Sequence, residues 1–318
     1  MSYDIVTVGE ALLRLWVPPG ERLESAPVLR FDVAGSEANV AVAAARMGKS
    51  VAWCSRLPDT PLGRRVTREL AGHGVDVSHV RLTDSERMGA YFVELSVPPR
   101  PIHIIYDRER SAASAMTVED VPWDLVESAG VVHLTGITPA LSASCRETTL
   151  EVARRARASS VPVSVDVNYR NRLWEPQEAG KVLTELCASA DLVIVTEEDA
   201  RDVFGLAGTP SELLDAMSDL TKANHVVLTR GAAGASWRSA GVDGDAPGYE
   251  AEILDRVGAG DALAGGVLVG FLEDDLSAGV RLGLAMAAIT IGMFGDQLRS
   301  SPDEIRTLME GGGREVSR

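Results

Sequence analysis

The chain has 318 residues, 45% of them hydrophobic, and a formal net charge of −15. That length and apolar content supply a large buried core, whereas an acidic surface repels a phosphate backbone and argues against nucleic acid as a partner. Cys54, Cys145 and Cys187 follow no C-x-x-C spacing, which argues against a disulfide framework or a zinc site and for a reducing cytosol.

The opening stretch carries Asp4 where a signal peptide would carry bases, and reads as a strand over Ile5–Val8. Residues from about 11 to 33 break into short alternating runs around Pro18, Pro19, Gly20 and Pro27. A helix follows over Asn39–Met47, a strand over Val51–Cys54 and a helix over Leu62–His73. Residues from about 87 to 110 again break the rhythm. Met88 to Leu95 alternates, Pro98-Pro99-Arg100-Pro101 turns, and Ile102–Tyr106 alternates once more. Beyond them, apolar Val/Ile-rich runs at Val131–Leu134, Val163–Val167, Leu192–Val195 and Val226–Thr229 read as buried parallel strands. Helical stretches at Cys145–Ala158, Glu178–Ala188 and Pro210–Thr221 separate them.

This alternation predicts one α/β domain over 1–318, a mainly parallel sheet with helices on both faces. The two interrupting segments predict a small β-sheet lid over a site at the sheet edge, or else surface hairpins without a role. The longest late uncharged run, Leu282 to Phe294, is too short to span a bilayer. No membrane partner and a cytoplasmic location are expected. Gly311-Gly312-Gly313 reads as a frayed tail.

The most informative segment is Asp255-Arg256-Val257-Gly258-Ala259-Gly260-Asp261, leading into an Ala/Gly-rich apolar helix. Small residues expose backbone N–H groups, and the helix N-terminus adds partial positive charge, so the turn can cradle an anion such as a transferring phosphoryl group. Asp261 at its mouth either caps the helix or takes a proton from an attacking hydroxyl. A dinucleotide fingerprint would follow the first strand, which here runs into Gly9-Glu10-Ala11-Leu12 with no G-x-G, and no P-loop occurs.

Asp255 to Asp261 resembles the D-x-x-G-A-G-D signature of PfkB carbohydrate kinases. Gly35-Ser36-Glu37-Ala38-Asn39-Val40-Ala41, running to Met47-Gly48, resembles the N-terminal signature of the same family, and the likeness covers essentially the whole chain. The resemblance implies a ribokinase-like fold using ATP and Mg2+, with a monovalent cation left open. It implies Asp261 as general base, with Gly258, Ala259 and Gly260 forming the anion hole. It places Gly35 and Asn39 on the substrate beneath the lid. Thr229, Gly231 and Gly234, from a strand–glycine turn, would border the nucleotide together with Gly258 and Gly260. The family's N-x-x-E metal motif reads Thr196-Glu197-Glu198-Asp199 here, which leaves Asp199 as a shorter-reaching ligand acting through water. Arg256-Val257 stands where threonines are common. By the same likeness, a homodimer through the lid is expected.

Tyr106-Asp107-Arg108 with Ser111 to Ala115, Gly136 to Leu141, and Asp166 to Trp174 resemble the 2-keto-3-deoxygluconate kinases within that family. A sugar acid carries a carboxylate, which a planar guanidinium grips through two parallel hydrogen bonds. Arg108 and Arg170 are the candidates, with Tyr91 and Tyr106 adding hydroxyls. Solvated or structural roles stay open for both arginines, and Asp166 and Asn168 fix a local turn or touch ligand. A fructose- or ribose-type kinase on the same scaffold is the nearest alternative. From another class, the alternative is a non-catalytic sugar-acid-binding protein, against which the intact G-A-G-D speaks. The five histidines and five tryptophans are scattered singly and read as packing or surface residues.

Overall fold

The structure is a computed structural model that describes residues 2–97 and 99–311. Pro98 of the expected turn, and Gly312 and Gly313 of the expected tail, lie outside the described residues. The strands in chain order are β1 (Ile5–Val8), β2 (Leu12–Val17), β3 (Arg30–Ala34), β4 (Val51–Cys54), β5 (Arg56–Pro58), β6 (Arg81–Thr83), β7 (Ala90–Glu94) and β8 (His103–Asp107). They continue with β9 (Val131–Thr135), β10 (Val163–Asp166), β11 (Leu192–Thr196), β12 (His225–Thr229), β13 (Ala235–Ser239) and β14 (Val242–Ala246). The helices are α1 (Ser36–Arg46), α2 (Pro61–Gly72), α3 (Trp123–Val126), α4 (Ala143–Ala158), α5 (Pro176–Cys187), α6 (Glu197–Asp202), α7 (Pro210–Thr221), α8 (Ala259–Leu272), α9 (Leu276–Ile291) and α10 (Pro302–Met309).

The large sheet runs β14-β13-β12-β11-β10-β9-β1-β4. From β4 through β12 every neighbour is parallel, and all six apolar runs read from the sequence lie in this part. Successive side chains of a strand point to opposite faces, so Val6 and Val8 enter one core while Ile5 enters the other. One face is covered by α4, α5 and α7, and the other by α1, α2, α8 and α9. Burial on both faces is what makes these strands continuous Val/Ile/Leu runs rather than alternating ones. The sheet ends in an antiparallel pair, β13 and β14, which the sequence reading did not identify. Its outer strand, Val242-Asp243-Gly244-Asp245-Ala246, is mostly exposed and too polar to give a strand signal.

The interrupting segments supply a second sheet of order β3-β2-β7-β8, with β2 and β7 parallel and the outer pairs antiparallel. Leu12, Trp16, Ala34, Tyr91, Val93 and Leu95 form a small separate core beneath it, closed by Phe294 against Trp16. The tryptophans pack as expected: Trp53, Trp174 and Trp237 are buried in the main core.

Helix starts differ by two or three residues from the sequence reading at α1, α4 and α5. At α1 the difference matters, because Gly35 becomes the N-cap and places Ser36, Glu37 and Asn39 in the first turn. Gly35 has φ 146°, and a Cβ there would lie 2.3 Å from the Glu10 carbonyl oxygen, so only glycine fits. Helix α8 packs on α9 through paired glycines: a Cβ on Gly266 would lie 2.5 Å from the Gly283 Cα, and one on Gly270 2.3 Å from the Gly279 Cα. Among the described residues no helix is long and apolar enough to cross a membrane.

Candidate active site

The C-terminal ends of β1, β9, β10, β11 and β12 open into a cavity of about 590 Å3. Ligands of open α/β sheets bind in such a crevice, where the strand order reverses. The chain supplies that reversal by placing β4 on one side of β1 and β9 on the other. The second sheet roofs the cavity with Leu12, Tyr91, Ile104 and Tyr106, and the turn into α8 closes its far wall.

That turn is built for an anion. Gly258 is the N-cap of α8 at φ 86°, and a Cβ there would lie 1.9 Å from the Asp296 carbonyl oxygen. The first bond of the helix runs from the Ala262 N–H to the Gly258 oxygen at 2.9 Å. The N–H groups of Ala259, Gly260 and Asp261 have no partner among the described residues. Three unspent amides at the positive end of a 14-residue apolar helix favour negative charge at this point.

Asp261 lies in the first turn of α8, yet its carboxylate takes no amide of its own helix. It accepts instead from Ser36 Oγ at 2.6 Å and from Asn39 Nδ2 at 2.7 Å, both on the first turn of α1. Asn168 Nδ2 in turn donates to Ser36 Oγ at 2.9 Å. The two helices come close enough because Gly265 of α8 faces Ala43 of α1. Burial raises the pKa of Asp261, opposed by its bonds from Ser36 and Asn39 and by the charge of Arg170.

The cavity is rich in carboxyl groups held above their ordinary range. Burial, with the charges of Asp261 and Asp199, pushes Asp166 up to about 8. Burial, with a smaller push from the charge of Asp261, raises Glu37 to about 7, against bonds from Thr138 at 2.6 Å and Thr135 at 2.8 Å. Asp199 is raised by burial, while its bond with Thr196 pulls it down. Arg170 is exposed in the cavity wall and has no carboxylate within ion-pair distance among the described residues. Arg108 is buried, and one of its Nη atoms already pairs with Glu10, which also accepts from Ser111 Oγ at 3.2 Å. The Nε of Arg108 is buried without a partner.

The pfkB family of carbohydrate kinases matches residues 2–304. The chain belongs to the PfkB family of carbohydrate kinases. It is 39% identical to the 2-dehydro-3-deoxygalactonokinase of Haloferax volcanii, over the whole of both chains. It is 33% identical to the 2-dehydro-3-deoxygluconokinase of Bacillus subtilis, covering 93% of this chain and 92% of that one. The crystal structure of the Thermotoga maritima 2-dehydro-3-deoxygluconokinase superposes with a TM-score of 0.92 at 30% identity, covering 96% of this chain and 99% of that one.

In this PfkB kinase the cavity brings together Gly35, Asn39, Tyr91, Tyr106, Arg108, Arg170, Asp199, Thr229, Gly258, Gly260 and Asp261. Gly231 and Gly234 lie outside the cavity wall. They shape the turn from β12 to β13, where a Cβ on Gly234 would lie 2.0 Å from the Ala246 oxygen. Two expectations change in detail. The Tyr91 hydroxyl is engaged within the protein, donating to Asp296 at 2.5 Å, so Tyr91 offers a cavity its ring, stacked on Tyr106, more than its hydroxyl. The Arg108 guanidinium has one edge occupied by Glu10, which leaves it fewer free N–H groups than two parallel bonds presuppose. The sequence reading missed Ser36, Glu10 and Glu37. A charged residue directly after the first strand, in Gly9-Glu10, was the available signal for Glu10.

PfkB kinases use ATP and Mg2+. Among the described residues no three His, Cys, Asp or Glu side chains could hold a metal together. The surplus of carboxyl groups at Asp166, Asp199 and Asp261 nonetheless suits a hard cation that keeps most of its waters and enters with phosphate oxygens.

Proposed function

We propose that this protein transfers the γ-phosphoryl group of ATP to the terminal hydroxyl of a six-carbon 2-keto-3-deoxy sugar acid, of the gluconate or galactonate configuration. The observation that carries the reading is one cavity holding a buried carboxylate, an unspent amide cradle and two arginines with free N–H groups. The hydroxyl meets Asp261, which accepts its proton as the new O–P bond forms and the bond from phosphorus to the ADP oxygen breaks. The amides of Ala259, Gly260 and Asp261 face the charge on the transferring group, and positioning with charge neutralisation supplies most of the catalysis. Asp199 and Asp166 would hold magnesium through its waters, and the ion would supply charge neutralisation to the phosphates. Arg170 and the unpaired Nη of Arg108 take the substrate carboxylate at the opposite end. The second sheet acts as a lid that excludes water, which would otherwise accept the phosphoryl group, and pairs with a second copy across its open edge. The three buried free cysteines support a cytosolic setting.

The pairing of Glu10 with Arg108 lowers the positive charge facing the substrate and favours, as a second reading, a neutral sugar such as fructose. ADP release measured with 2-keto-3-deoxygluconate, 2-keto-3-deoxygalactonate, fructose and ribose separates the two. Turnover of a sugar acid that falls by about 100-fold or more in Asp261→Asn is expected for loss of a general base. Fructose turnover that survives Arg108→Ala and Arg170→Ala would move the substrate to the neutral class, and a mutant at residue 261 as active as wild type would end the catalytic reading.

A further inference from the structure

Beneath the second sheet lies a buried charge cluster that the phosphoryl-transfer chemistry does not use. Arg14 of β2 is fully buried, and its two Nη atoms bond separately to Asp296 and Asp255. Asp255 is also fully buried. Its other oxygen accepts the Val257 N–H at 3.2 Å, two residues along the turn, and the bonded oxygen also accepts the Gly295 N–H at 3.3 Å. The second oxygen of Asp296 accepts from the Tyr91 hydroxyl of β7, the residue in register with Arg14 across the β2–β7 pair. The backbone oxygen of Asp296 is the atom against which Gly258 is packed. One guanidinium anchored in the second sheet therefore grips both sides of the anion-binding turn, through Asp255 at its start and Asp296 behind Gly258.

Desolvating an arginine and two aspartates costs several kcal/mol per ion, and apolar groups of the same shape often stabilise a fold better. A cluster of this kind therefore needs a reason other than stability. We infer that Arg14 is a positioning residue that fixes the Asp255–Asp261 turn in its phosphoryl-binding shape and ties that turn to the lid strands β2 and β7. The planar fork of the guanidinium reaches two carboxylates in one plane, which a lysine ammonium cannot copy. The inference rests on the proposed role of the turn in phosphoryl transfer.

The test is steady-state ADP release with the accepted sugar acid, on wild type, Arg14→Met, Arg14→Lys, Arg14→Ala, Asp296→Asn and Asp261→Asn, with thermal melts of each. Arg14→Met should lower kcat about 100-fold, the loss that a misplacement of about 1 Å costs. KM for the sugar acid and for ATP should move by less than roughly threefold, as for an interaction that matters in the transition state. Arg14→Lys should recover only part of the rate, and guanidinium ion added at a concentration harmless to wild type should raise the rate of Arg14→Ala. Arg14→Met with wild-type kcat, beside an inactive Asp261→Asn, would overturn the inference and leave the phosphoryl-transfer reading intact. An active Asp261→Asn would strike that reading instead. Should the Arg14 variants fail to fold, Asp296→Asn decides: it preserves shape and removes one charge, and an unchanged kcat overturns the inference.

Discussion

Replacing Ser36 by alanine removes one hydroxyl from the cavity and leaves the backbone of α1 untouched. That hydroxyl donates to Asp261 at 2.6 Å and accepts from Asn168, so its loss takes one of two side-chain donors from a buried carboxylate. A hydrogen bond to a charged group is worth about 1.5–3 kcal/mol, and one pKa unit is about 1.4 kcal/mol. The bond favours the ionised form, and its removal should raise the Asp261 pKa further above its ordinary value. A general base must be ionised, so the acidic limb of kcat/KM should move to higher pH, while the rate on the alkaline plateau falls less. The measurement is ADP release from saturating ATP and limiting sugar acid across pH 4 to 9, where kcat/KM reports the free enzyme. Superimposable acidic limbs for wild type and Ser36→Ala would show that the ionisation governing the rate is not that of Asp261.

Gly258→Ala should lower kcat by about 100-fold or more, because a Cβ 1.9 Å from the Asp296 oxygen displaces amides whose loss costs that much each; kinetics with a parallel melt check it. Asp166→Asn should stabilise the unliganded protein. The folded pKa of about 8 exceeds the ordinary aspartate value near 4, so the wild type loses stability as pH rises between them. Urea melts should therefore show the variant ahead by on the order of a few kcal/mol at pH 8 and level with wild type near pH 4. Arg170→Ala should raise KM for a sugar acid by roughly 10- to 100-fold through loss of charged hydrogen bonds, with little change for fructose, as a substrate panel would register.

The parts of this fold that showed in the sequence are those whose signal is local. Six strands buried on both faces can be written only with residues such as Val131-Val132 or Leu192-Val193-Ile194, and α7 declares itself through Thr209-Pro210 and Glu212, a capping box. Asp261 was visible because glycines around it have few other uses. Ser36, 225 positions away, was not, and Asn39 was expected against the substrate rather than on Asp261, 222 positions away, because both reach that carboxylate only after α1 packs on α8. Arg14 was hidden more thoroughly. In Leu12-Leu13-Arg14-Leu15-Trp16 it takes the place of an outward polar residue of an alternating strand, whereas Asp255 and Asp296, 241 and 282 positions away, draw it fully inside. Gly231 and Gly234 show the converse: a glycine turn after a strand suits both a nucleotide edge and a tight reversal into β13, and spacing alone does not separate the two.

The glycine pairs between α8 and α9 carry a warning for anyone seeking a hardier variant. Exchanging glycine for alanine inside a helix ordinarily gains up to about 1 kcal/mol from propensity, and Gly266 and Gly270 look like inviting targets. Each would push its new methyl into the facing main chain, at Gly283 or Gly279, and pry the two rods apart. Because the front end of α8 carries Asp261, such a shim at the back would be read out as lost turnover before it appeared as a lower melting point.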